Sequence, residues 1–195
     1  NDFSGNGRPD QILTYYNEGE SYPLASPDQM LTNISSLETK YSTYADYAGE
    51  PVRDIFPREQ FAAATVHKVT EFASILLMNN GDETFSIGQL PVEAQFSPIY
   101  SILIGDFNKD GYQDMLLGGN FFGVPPDQGR YDASYGCILL GDGTGTFVPV
   151  SPQNSGFVVA GEVRQIKSLQ AASGETLVIA ARNNDTIVIF KQMKL

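Results

Sequence analysis

The apolar residues of this chain change their spacing twice along its 195 positions. A short strand-like run at 12–16 precedes a stretch, 22–72, in which apolar residues recur at helical spacing. From residue 74 onward the apolar runs are again short, and glycine-containing turns at 79–82 and 141–145 join pairs of them. The pattern predicts a mostly β protein that carries one α-helical insertion.

Local signals indicate helices inside the insertion. Ser26 stands before Pro27, which is typical of an N-cap followed by proline in the first helical turn. A second helix is predicted from Phe56 to Ala64. His67 lies near its end, and we interpret this lone histidine as a structural residue rather than a ligand or a base.

The strand-like segments repeat at a fixed distance along the sequence. Leu76–Met78 aligns with Ile138–Leu140, and Ile104 aligns with Ile166, after the same shift along the sequence. We call this shift the repeat offset. Repeated units of short strands are typical of β-propeller blades, so we expect about three blades, incomplete at both ends, with the α-helical insertion in the first. The predicted ranges are 1–90 with the insertion at 22–72, then 98–150, then 158–195.

An oxygen-rich loop joins two strand-like runs of the second predicted blade. Asp106, Asn108 and Asp110 occupy alternate positions, Gly111 follows them, and Asp114 stands at the ninth position. A hard cation such as Ca²⁺ takes about six to eight oxygen ligands, and the glycine permits the sharp turn that directs them inward. Unlike an EF-hand, the loop leads into an apolar strand-like run. The alternative is a solvated acidic turn, since Asp, Asn and Gly also favour turns.

The chain opens with a loop of the same spacing. Asp2, Ser4, Asn6 and Asp10 take the first, third, fifth and ninth positions, and Gly7 takes the sixth. With fewer carboxylates, this loop is expected to bind calcium more weakly than the other. Two loops of identical spacing favour metal binding over chance turns. Closure of the first loop by hydrogen bonds from Ser4 and Asn6, without an ion, stays an alternative.

Composition narrows the function classes. The chain has 12 basic and 23 acidic residues, a formal net charge of −11 and no basic stripe, so nucleic-acid binding is not expected. No apolar run approaches the roughly 18 residues that span a membrane, so direct membrane insertion is not expected. The single cysteine, Cys137, is interpreted as a small apolar strand residue. Because the sequence opens inside a candidate metal loop, we expect it to belong to a longer protein.

These motifs resemble a known family. The segment 105–120 is similar to an FG-GAP/VCBS repeat, the blade type of the integrin α-subunit propeller, and the hairpins 79–85 and 141–147 resemble turns of the same repeats. The segment 22–56 resembles an insertion of secreted proteins of the ASPIC/UnbV and cartilage acidic protein type. The resemblance implies a propeller of about seven blades with Ca²⁺ in such loops. The implied Ca²⁺ ligands are Asp106, Asn108, Asp110, the backbone of Tyr112 and Asp114, and likewise Asp2, Ser4, Asn6, the backbone of Arg8 and Asp10.

A binding or adhesion scaffold is the function that we expect. Calcium would stiffen the loops between strands, and a protein or glycan partner would bind one face. The long segment 120–132 is the candidate face, because long ordered loops are often functional. Its candidate ligand-binding residues are Phe121, Phe122, Arg130 and Tyr131. The alternative is that Phe121, Phe122 and Tyr131 only pack over the blade or against the helical insertion.

An enzyme is the less favoured class. The chain has one histidine and no Gly-x-Ser-x-Gly elbow, and its regularly spaced acidic residues are assigned to metal. The alternative function is an accessory or catalytic propeller of a secreted carbohydrate-active or other hydrolytic enzyme. A third interpretation is purely structural, with these blades forming part of a larger receptor.

Two further expectations concern partners and location. Open strand edges are templates for another chain, so a homo-oligomer through these edges is expected. Loops of moderate charge suit surroundings where calcium is abundant. We therefore expect an extracellular, cell-surface or periplasmic protein, in agreement with the family resemblance.

Overall fold

The computed structural model describes residues 1–126 and 129–191. Within these ranges the chain divides into two compact units, Asn1–Thr70 and the residues from Glu71 onward. The described residues form eleven strands in four small sheets and five short α-helices, and no closed barrel or propeller is present among them. The prediction of a mostly β protein is confirmed. The arrangement of its sheets as propeller blades stays a prediction.

The first unit contains a hairpin of β1, Thr14–Asn17, and β2, Glu20–Pro23. The two-residue turn between them has positive φ at Glu18 (48°) and Gly19 (95°), as a type I′ hairpin turn requires. β2 overlaps the start of the segment predicted to be helical, 22–72. Sequence reasoning missed this strand because its polar residues carry no apolar signal, and pairing with β1 decides its conformation.

Short helices follow this hairpin and build the core of the first unit. The predicted cap is confirmed, because Ser26 N donates to Gln29 Oε1 (3.0 Å) and Gln29 N donates to Ser26 Oγ (3.4 Å), which is a capping box. Met30, Ile34 and Ile55 are buried in one apolar cluster, so this unit has a core of its own. The helices are α1, Pro27–Asn33; α2, Tyr44–Tyr47; α3, Val52–Ile55; and α4, Arg58–Ala62; with a 3₁₀ turn at Ser35–Thr39.

The second unit contains three antiparallel sheets in chain order. They are a β3–β4 hairpin, a four-stranded meander β5–β6–β7–β8 and a three-stranded sheet β9–β10–β11. The strands are β3, Ile75–Asn79; β4, Phe85–Gln89; β5, Ile99–Gly105; β6, Asp114–Gly119; β7, Cys137–Gly141; β8, Phe147–Val150; β9, Val163–Gln170; β10, Thr176–Arg182; and β11, Val188–Phe190; the helix α5, Pro152–Ser155, follows β8.

The repeat predicted from the sequence is visible in the strand registers of two hairpins. Leu77 pairs with Ile87 in the β3–β4 hairpin, and Leu139 pairs with Pro149 in the β7–β8 hairpin. Every residue pair of β7–β8 has its counterpart in β3–β4 at the repeat offset, on both strands. The two hairpins are therefore equivalent units of one repeat.

The remaining strands repeat with more than one offset. Ile104 pairs with Met115, and Leu169 pairs with Leu177, which corresponds to Met115 at the repeat offset. Leu169, and not Ile166, is therefore the counterpart of Ile104, so the predicted alignment of Ile104 with Ile166 is wrong. The connection between β9 and β10 is shorter than the one between β5 and β6, because it lacks the oxygen-rich loop.

The connection between β6 and β7 is extended relative to its counterpart in the last sheet. Leu116 pairs with Ile138, whereas in the last sheet the equivalent residue Val178 pairs with Phe190, which is much nearer to it along the chain. The additional residues belong to the segment 120–136, which contains the predicted aromatic face. This segment is thus an insertion in the repeat, and the pairing of the strands does not depend on it.

Apolar residues are buried on both faces of the four-stranded sheet. Leu116 belongs to a cluster with Ile166 of β9, and a Cβ at Gly118 would lie 2.6 Å from Val163 Cγ1, so the sheets approach too closely there for a larger residue. Cys137 belongs to the cluster on the other face. Burial, together with the charge of Glu93, raises the pKa of the Cys137 thiol to about 11. This agrees with its interpretation as a small apolar residue.

The predicted blade ranges relate to these sheets in different ways. The four-stranded sheet lies within 98–150, and the three-stranded sheet lies within 158–195, of which residues 192–195 fall outside the described part. The range 1–90 crosses the boundary between the two units, so the first blade stays a prediction. None of the helices in the described ranges has the length and apolarity to cross a membrane.

Candidate functional site

The second oxygen-rich loop, Asp106–Asp114, connects β5 to β6. Its backbone turns through positive φ at Lys109 (67°) and Gly111 (92°), the fourth and sixth positions. Asp106 stands at the start of the loop, where Oδ1 accepts a hydrogen bond from Asp110 N (3.1 Å) and Oδ2 accepts one from Gly111 N (3.0 Å). The carboxylate of the first position is therefore turned over the backbone of the loop that it opens.

The middle positions of the second loop are held in the same way. Asn108 Oδ1 accepts from Asp110 N (3.0 Å), and Asp110 Oδ1 accepts from Tyr112 N (2.8 Å). Asn108 Nδ2 also donates to Asp110 Oδ2 (2.8 Å), so two predicted ligand side chains are in direct contact. The Tyr112 ring is half-exposed, and only the backbone of Tyr112 was predicted to face the metal.

Asp114, the ninth position, ties the loop to the rest of its sheet. The side chain is fully buried, and Oδ2 accepts a hydrogen bond from Phe107 N (2.8 Å). Its other oxygen, Oδ1, accepts one from Gly141 N (3.0 Å) at the end of β7. One carboxylate therefore joins the start of the loop, the start of β6 and the end of β7.

The first oxygen-rich loop, Asp2–Asp10, has the same backbone and hydrogen-bond pattern. Positive φ occurs at its fourth and sixth positions, Gly5 (72°) and Gly7 (82°). Asp2 Oδ1 accepts from Asn6 N (3.1 Å) and Asp2 Oδ2 from Gly7 N (2.7 Å), as Asp106 does from the fifth and sixth positions of its own loop. The first loop adds a hydrogen bond from Gly5 N to Asp2 Oδ1 (2.7 Å). Asp10 Oδ2 accepts from Phe3 N (2.8 Å), as Asp114 does from the second position of its own loop.

The substituted positions of the first loop keep this pattern in part. Asn6 Oδ1 accepts a hydrogen bond from Arg8 N (2.8 Å), the same contact that Asp110 makes in the second loop. Ser4 instead turns its hydroxyl toward Asp2 Oδ1 (3.4 Å). The contact to Asn6 Oδ1 is made by the Arg8 backbone N–H, whereas the resemblance implies the Arg8 carbonyl as the ligand.

The donor set of both loops fits a hard cation. Every predicted ligand atom is an oxygen, which suits Ca²⁺ and disfavours zinc. Within residues 1–126 and 129–191, no group of three or more His, Cys, Asp or Glu side chains is gathered in a metal-binding arrangement. Instead, the carboxylates accept amide hydrogen bonds from their own loops. An ionised carboxylate offers about four acceptor sites, so the two hydrogen bonds that each carboxylate of the second loop accepts leave capacity for an ion. Asp2 of the first loop already accepts four hydrogen bonds, from Ser4 Oγ, Gly5 N, Asn6 N and Gly7 N, so an ion there would have to displace some of them.

The charge of Asp2 makes the first loop sensitive to acid. Hydrogen bonds, first of all from Gly7 N and then from Gly5 N and Asn6 N, outweigh partial desolvation and lower the pKa of Asp2 below its ordinary value. The loop is therefore stabilised above the ordinary pKa of an aspartate, and this stabilisation is lost as pH falls through the lowered value. In an NMR titration, we expect the Gly7 amide to shift with a midpoint below that of an unstructured aspartate. A midpoint at the ordinary value would contradict this contact.

An exposed aromatic cluster lies where the long connection leaves β6. Phe121 and Tyr131 form an isolated antiparallel bridge, with Phe121 N donating to Tyr131 O (2.9 Å) and Tyr131 N donating to Phe121 O (3.0 Å). Directly opposed residues place their side chains on the same face of the bridge. The Tyr100 ring lies 6.2 Å from the Phe121 ring, and the Arg164 guanidinium lies 4.1 Å from the centre of Tyr100. We call Tyr100, Phe121, Tyr131 and Arg164 the aromatic surface.

The other two predicted ligand-binding residues, Phe122 and Arg130, form a separate contact. The Arg130 guanidinium lies 5.0 Å from the centre of the Phe122 ring. Phe122 N donates to Glu162 Oε1 (2.7 Å), which fixes the backbone at this point. Between them, Asp127 and Gln128 lie outside the described residues. The structure therefore brings Phe121 together with Tyr131, and Phe122 together with Arg130.

A buried asparagine fixes both ends of the long connection. Asn120 is buried and has a positive φ of 80°. Its Oδ1 accepts from Ser97 Oγ (2.7 Å) and from Ser134 N (3.1 Å), and its Nδ2 donates to Ser134 O (2.7 Å) and Gly161 O (2.9 Å). Four chain segments therefore meet at one side chain. Sequence reasoning missed Asn120, because an asparagine after two glycines also fits an ordinary turn.

Glu162 is the second buried polar residue beneath the aromatic surface. It accepts hydrogen bonds from Phe122 N (2.7 Å), Asn183 Nδ2 (2.8 Å) and Arg164 (2.7 Å). The hydrogen bond from Phe122 N, followed by those from Asn183 and the charge of Arg164, lowers the pKa of Glu162. Glu162 therefore stays ionised, holds Arg164 beneath Tyr100 and neutralises its charge.

Comparisons with protein-family models, with curated proteins and with solved structures find no match for this chain.

Proposed function

We propose that this chain is part of a calcium-binding β-propeller that acts outside cells as a binding or adhesion scaffold. The proposal rests mainly on the features that the two oxygen-rich loops have in common. They share residue spacing, positive φ at the fourth and sixth positions, and amide contacts to the first and ninth carboxylates. Two copies of one specialised loop, about a hundred residues apart, are expected of a repeated metal site.

The common strand registers support the blade arrangement. The four-stranded meander has the strand number and order of a propeller blade, and the last sheet reproduces the pairing of its first three strands. The β3–β4 hairpin reproduces the outer two. In this proposal the sheets are successive blades, about three in number and incomplete at both ends, and the helices are an insertion in the first.

Calcium has a defined structural part in this proposal. Bound calcium supplies positive charge that holds several oxygen atoms at short range. In the second loop the ion would be held by Asp106, Asn108, Asp110, the Tyr112 carbonyl and Asp114. Because Asp114 also accepts from Gly141 N, ordering this loop orders the end of β7 as well. The corresponding set in the first loop is Asp2, Ser4, Asn6, the Arg8 carbonyl and Asp10.

The aromatic surface is the proposed partner-binding site. Hydrogen bonds of Asn120 and Glu162 hold the backbone beside its rings and the Arg164 side chain, which limits the conformational entropy lost when a partner binds. Tyr100 and Tyr131 are half-exposed, and the charge of Arg164 is neutralised by Glu162. A surface of this kind suits the apolar face of a sugar ring or an apolar protein side chain. The proposed partner is accordingly a glycan or a protein.

Substitution of Tyr131 by alanine tests this assignment. Loss of one exposed ring of the aromatic surface is expected to weaken partner binding about tenfold or more, the usual effect of removing an interface anchor. The measurement is binding to a glycan and protein array, followed by titration of any partner found. Tyr16→Ala is the matched control, since Tyr16 is an exposed tyrosine on β1. Equal affinity of the Tyr131 and Tyr16 variants would exclude the aromatic surface as the site.

The proposed location follows from calcium affinity. Sites with few carboxylates bind weakly and fill only where calcium is near millimolar, about 10⁻⁴–10⁻³ M in extracellular modules. The first loop has two carboxylates and the second has three. Both are therefore proposed to work in an extracellular, cell-surface or periplasmic setting. Saturation of the first loop at submicromolar calcium would contradict this argument.

A further inference from the structure

An open cavity lies at one end of the four-stranded sheet, opposite the end that carries the second oxygen-rich loop. It is lined by residues before β5, by residues before β7 and by the chain from the end of β8 to the start of α5, and it measures about 320 Å³. All of these residues belong to the second compact unit. The volume is at the lower end of the range for ligand sites, so the cavity suits one small molecule.

Two half-exposed aromatic residues line this cavity. Phe96 (51% exposed) follows the 3₁₀ turn Val92–Gln95, and Tyr135 (57% exposed) belongs to the long connection between β6 and β7. The face of an aromatic ring is electrically negative and attracts a cation that lies over it. Because the two residues come from different connections, a ligand in the cavity can contact both.

Glu93 adds a negative charge to the same cavity. It is half-buried, and among the residues that the structure describes its carboxylate accepts no hydrogen bond and forms no ion pair. Cys137 also lines the cavity, and its thiol pKa is raised first by burial and then by the charge of Glu93, which agrees with a carboxylate close to the thiol. A half-buried carboxylate without a partner has lost part of its hydration, and a cation in the cavity would offset that loss.

Hydrogen bonds hold the backbone on both sides of the cavity. Gln95, which precedes Phe96, accepts from Ser74 N at Oε1 (2.7 Å) and donates to Ser74 O through Nε2 (3.0 Å). On the other side, Tyr135 O accepts a hydrogen bond from Val159 N (2.8 Å). The backbone that carries the two aromatic residues is therefore held before any ligand binds, which limits the conformational entropy that binding costs.

We propose that this cavity binds a small organic ammonium ion, with the positive charge beside Glu93 and the alkyl groups against Phe96 and Tyr135. Aromatic rings are the groups that recognise quaternary ammonium ligands, and a carboxylate adds the opposite charge. The net charge of −11 likewise favours a cation over an anion. The site shares no residue with the oxygen-rich loops or with the aromatic surface, so it goes beyond the proposed scaffold function.

The composition of the lining separates this site from a metal site. Calcium takes about six to eight oxygen ligands, and Glu93 is the one carboxylate among the described lining residues. Zinc is not favoured either, because the nearby Cys137 thiol has a raised pKa and a thiol must lose its proton to bind zinc. An organic ammonium ion needs neither, since it keeps its charge and binds through ring faces and one carboxylate.

Titration of the full chain with choline, followed by NMR, tests this proposal. The control ligand is the neutral alcohol in which carbon replaces the charged nitrogen of choline, because it keeps the shape and removes the charge. Choline is expected to shift the amide signals of Phe96 and Gly136 saturably and to bind about tenfold more tightly than the alcohol. Equal affinity for the two ligands, or no saturable shift with choline, would overturn the proposal.

Two variants separate the charge from the ring. Glu93→Gln keeps the size of the side chain and is expected to weaken choline binding about tenfold, whereas Tyr135→Leu keeps an apolar side chain and is expected to weaken it about threefold. Glu83→Gln is the matched control, since it makes the same change of net charge at an exposed residue outside the cavity. Unchanged affinity in Glu93→Gln, or an equal loss in Glu93→Gln and Glu83→Gln, would contradict the site. Loss of partner binding through Tyr131→Ala affects only the proposed scaffold function.

Discussion

Replacement of Asp114 by alanine is expected to lower the free energy of unfolding by about 3–6 kcal/mol, even without calcium. Asp114 is fully buried and accepts one hydrogen bond at each oxygen, from Phe107 N and Gly141 N. Its removal leaves both amides without an acceptor and leaves a void where the loop meets β7. Hydrogen bonds to a charged group contribute about 1.5–3 kcal/mol each, which sets the expected size.

Urea denaturation in the presence of a calcium chelator measures this effect. Asp110→Ala is the matched control, because Asp110 lies in the same loop but is exposed and contacts only its neighbours. Without calcium the control is expected to lose less than about 1 kcal/mol. An equal loss in both variants would mean that Asp114 has no special part in joining the loop to β7.

Removal of calcium is the second large effect that we expect. An ion that binds only the folded state contributes about 2.7 kcal/mol when its concentration is a hundred times its dissociation constant. For a chain of this size such a change corresponds to a fall in melting temperature of about 5–10 °C. Thermal denaturation with calcium and with a chelator measures it. Magnesium is the control ion, since it demands a smaller octahedral site. An equal melting temperature in calcium and chelator would contradict calcium-linked stability.

Much of the β structure could be predicted because its turns carry strong local signals. The turns Asn79–Asp82 and Gly141–Gly145 both predict hairpins. The apolar runs beside these turns form β3, β4, β7 and β8. The strand β2 could not be found in this way, since half of its residues are polar and β1 supplies its hydrogen bonds. Local pattern fails where pairing, and not side-chain burial, decides the conformation.

In the candidate site, the spacing of the oxygen side chains could be predicted from the sequence, whereas the long-range contacts that support the loop could not. Alternation of Asp106, Asn108 and Asp110 was visible in the sequence, and the structure places these side chains over one loop. The contact of Asp114 with Gly141 N spans 27 residues and has no sequence signal.

The aromatic surface could likewise be predicted only in part from the sequence. Phe121 and Tyr131 were predicted as candidate ligand-binding residues, but Tyr100 and Arg164 were not, because they come from two other strands. Asn120 and Glu162, which fix the surface from below, are buried polar residues in a sequence neighbourhood typical of turns. The role of such residues is visible only in the folded structure, where several chain segments meet around them.

Calorimetric titration of the full chain with calcium tests the central claim most directly. The natural chain is expected to show two binding events, with the tighter one at the second loop, which has three carboxylates against two. Asp110→Ala is expected to abolish the tighter event, and Asp2→Ala the weaker one. Each variant thereby serves as the control for the other. Unchanged calcium affinity in Asp110→Ala, or no calcium binding by the natural chain, would contradict the assignment of the second loop as a calcium site.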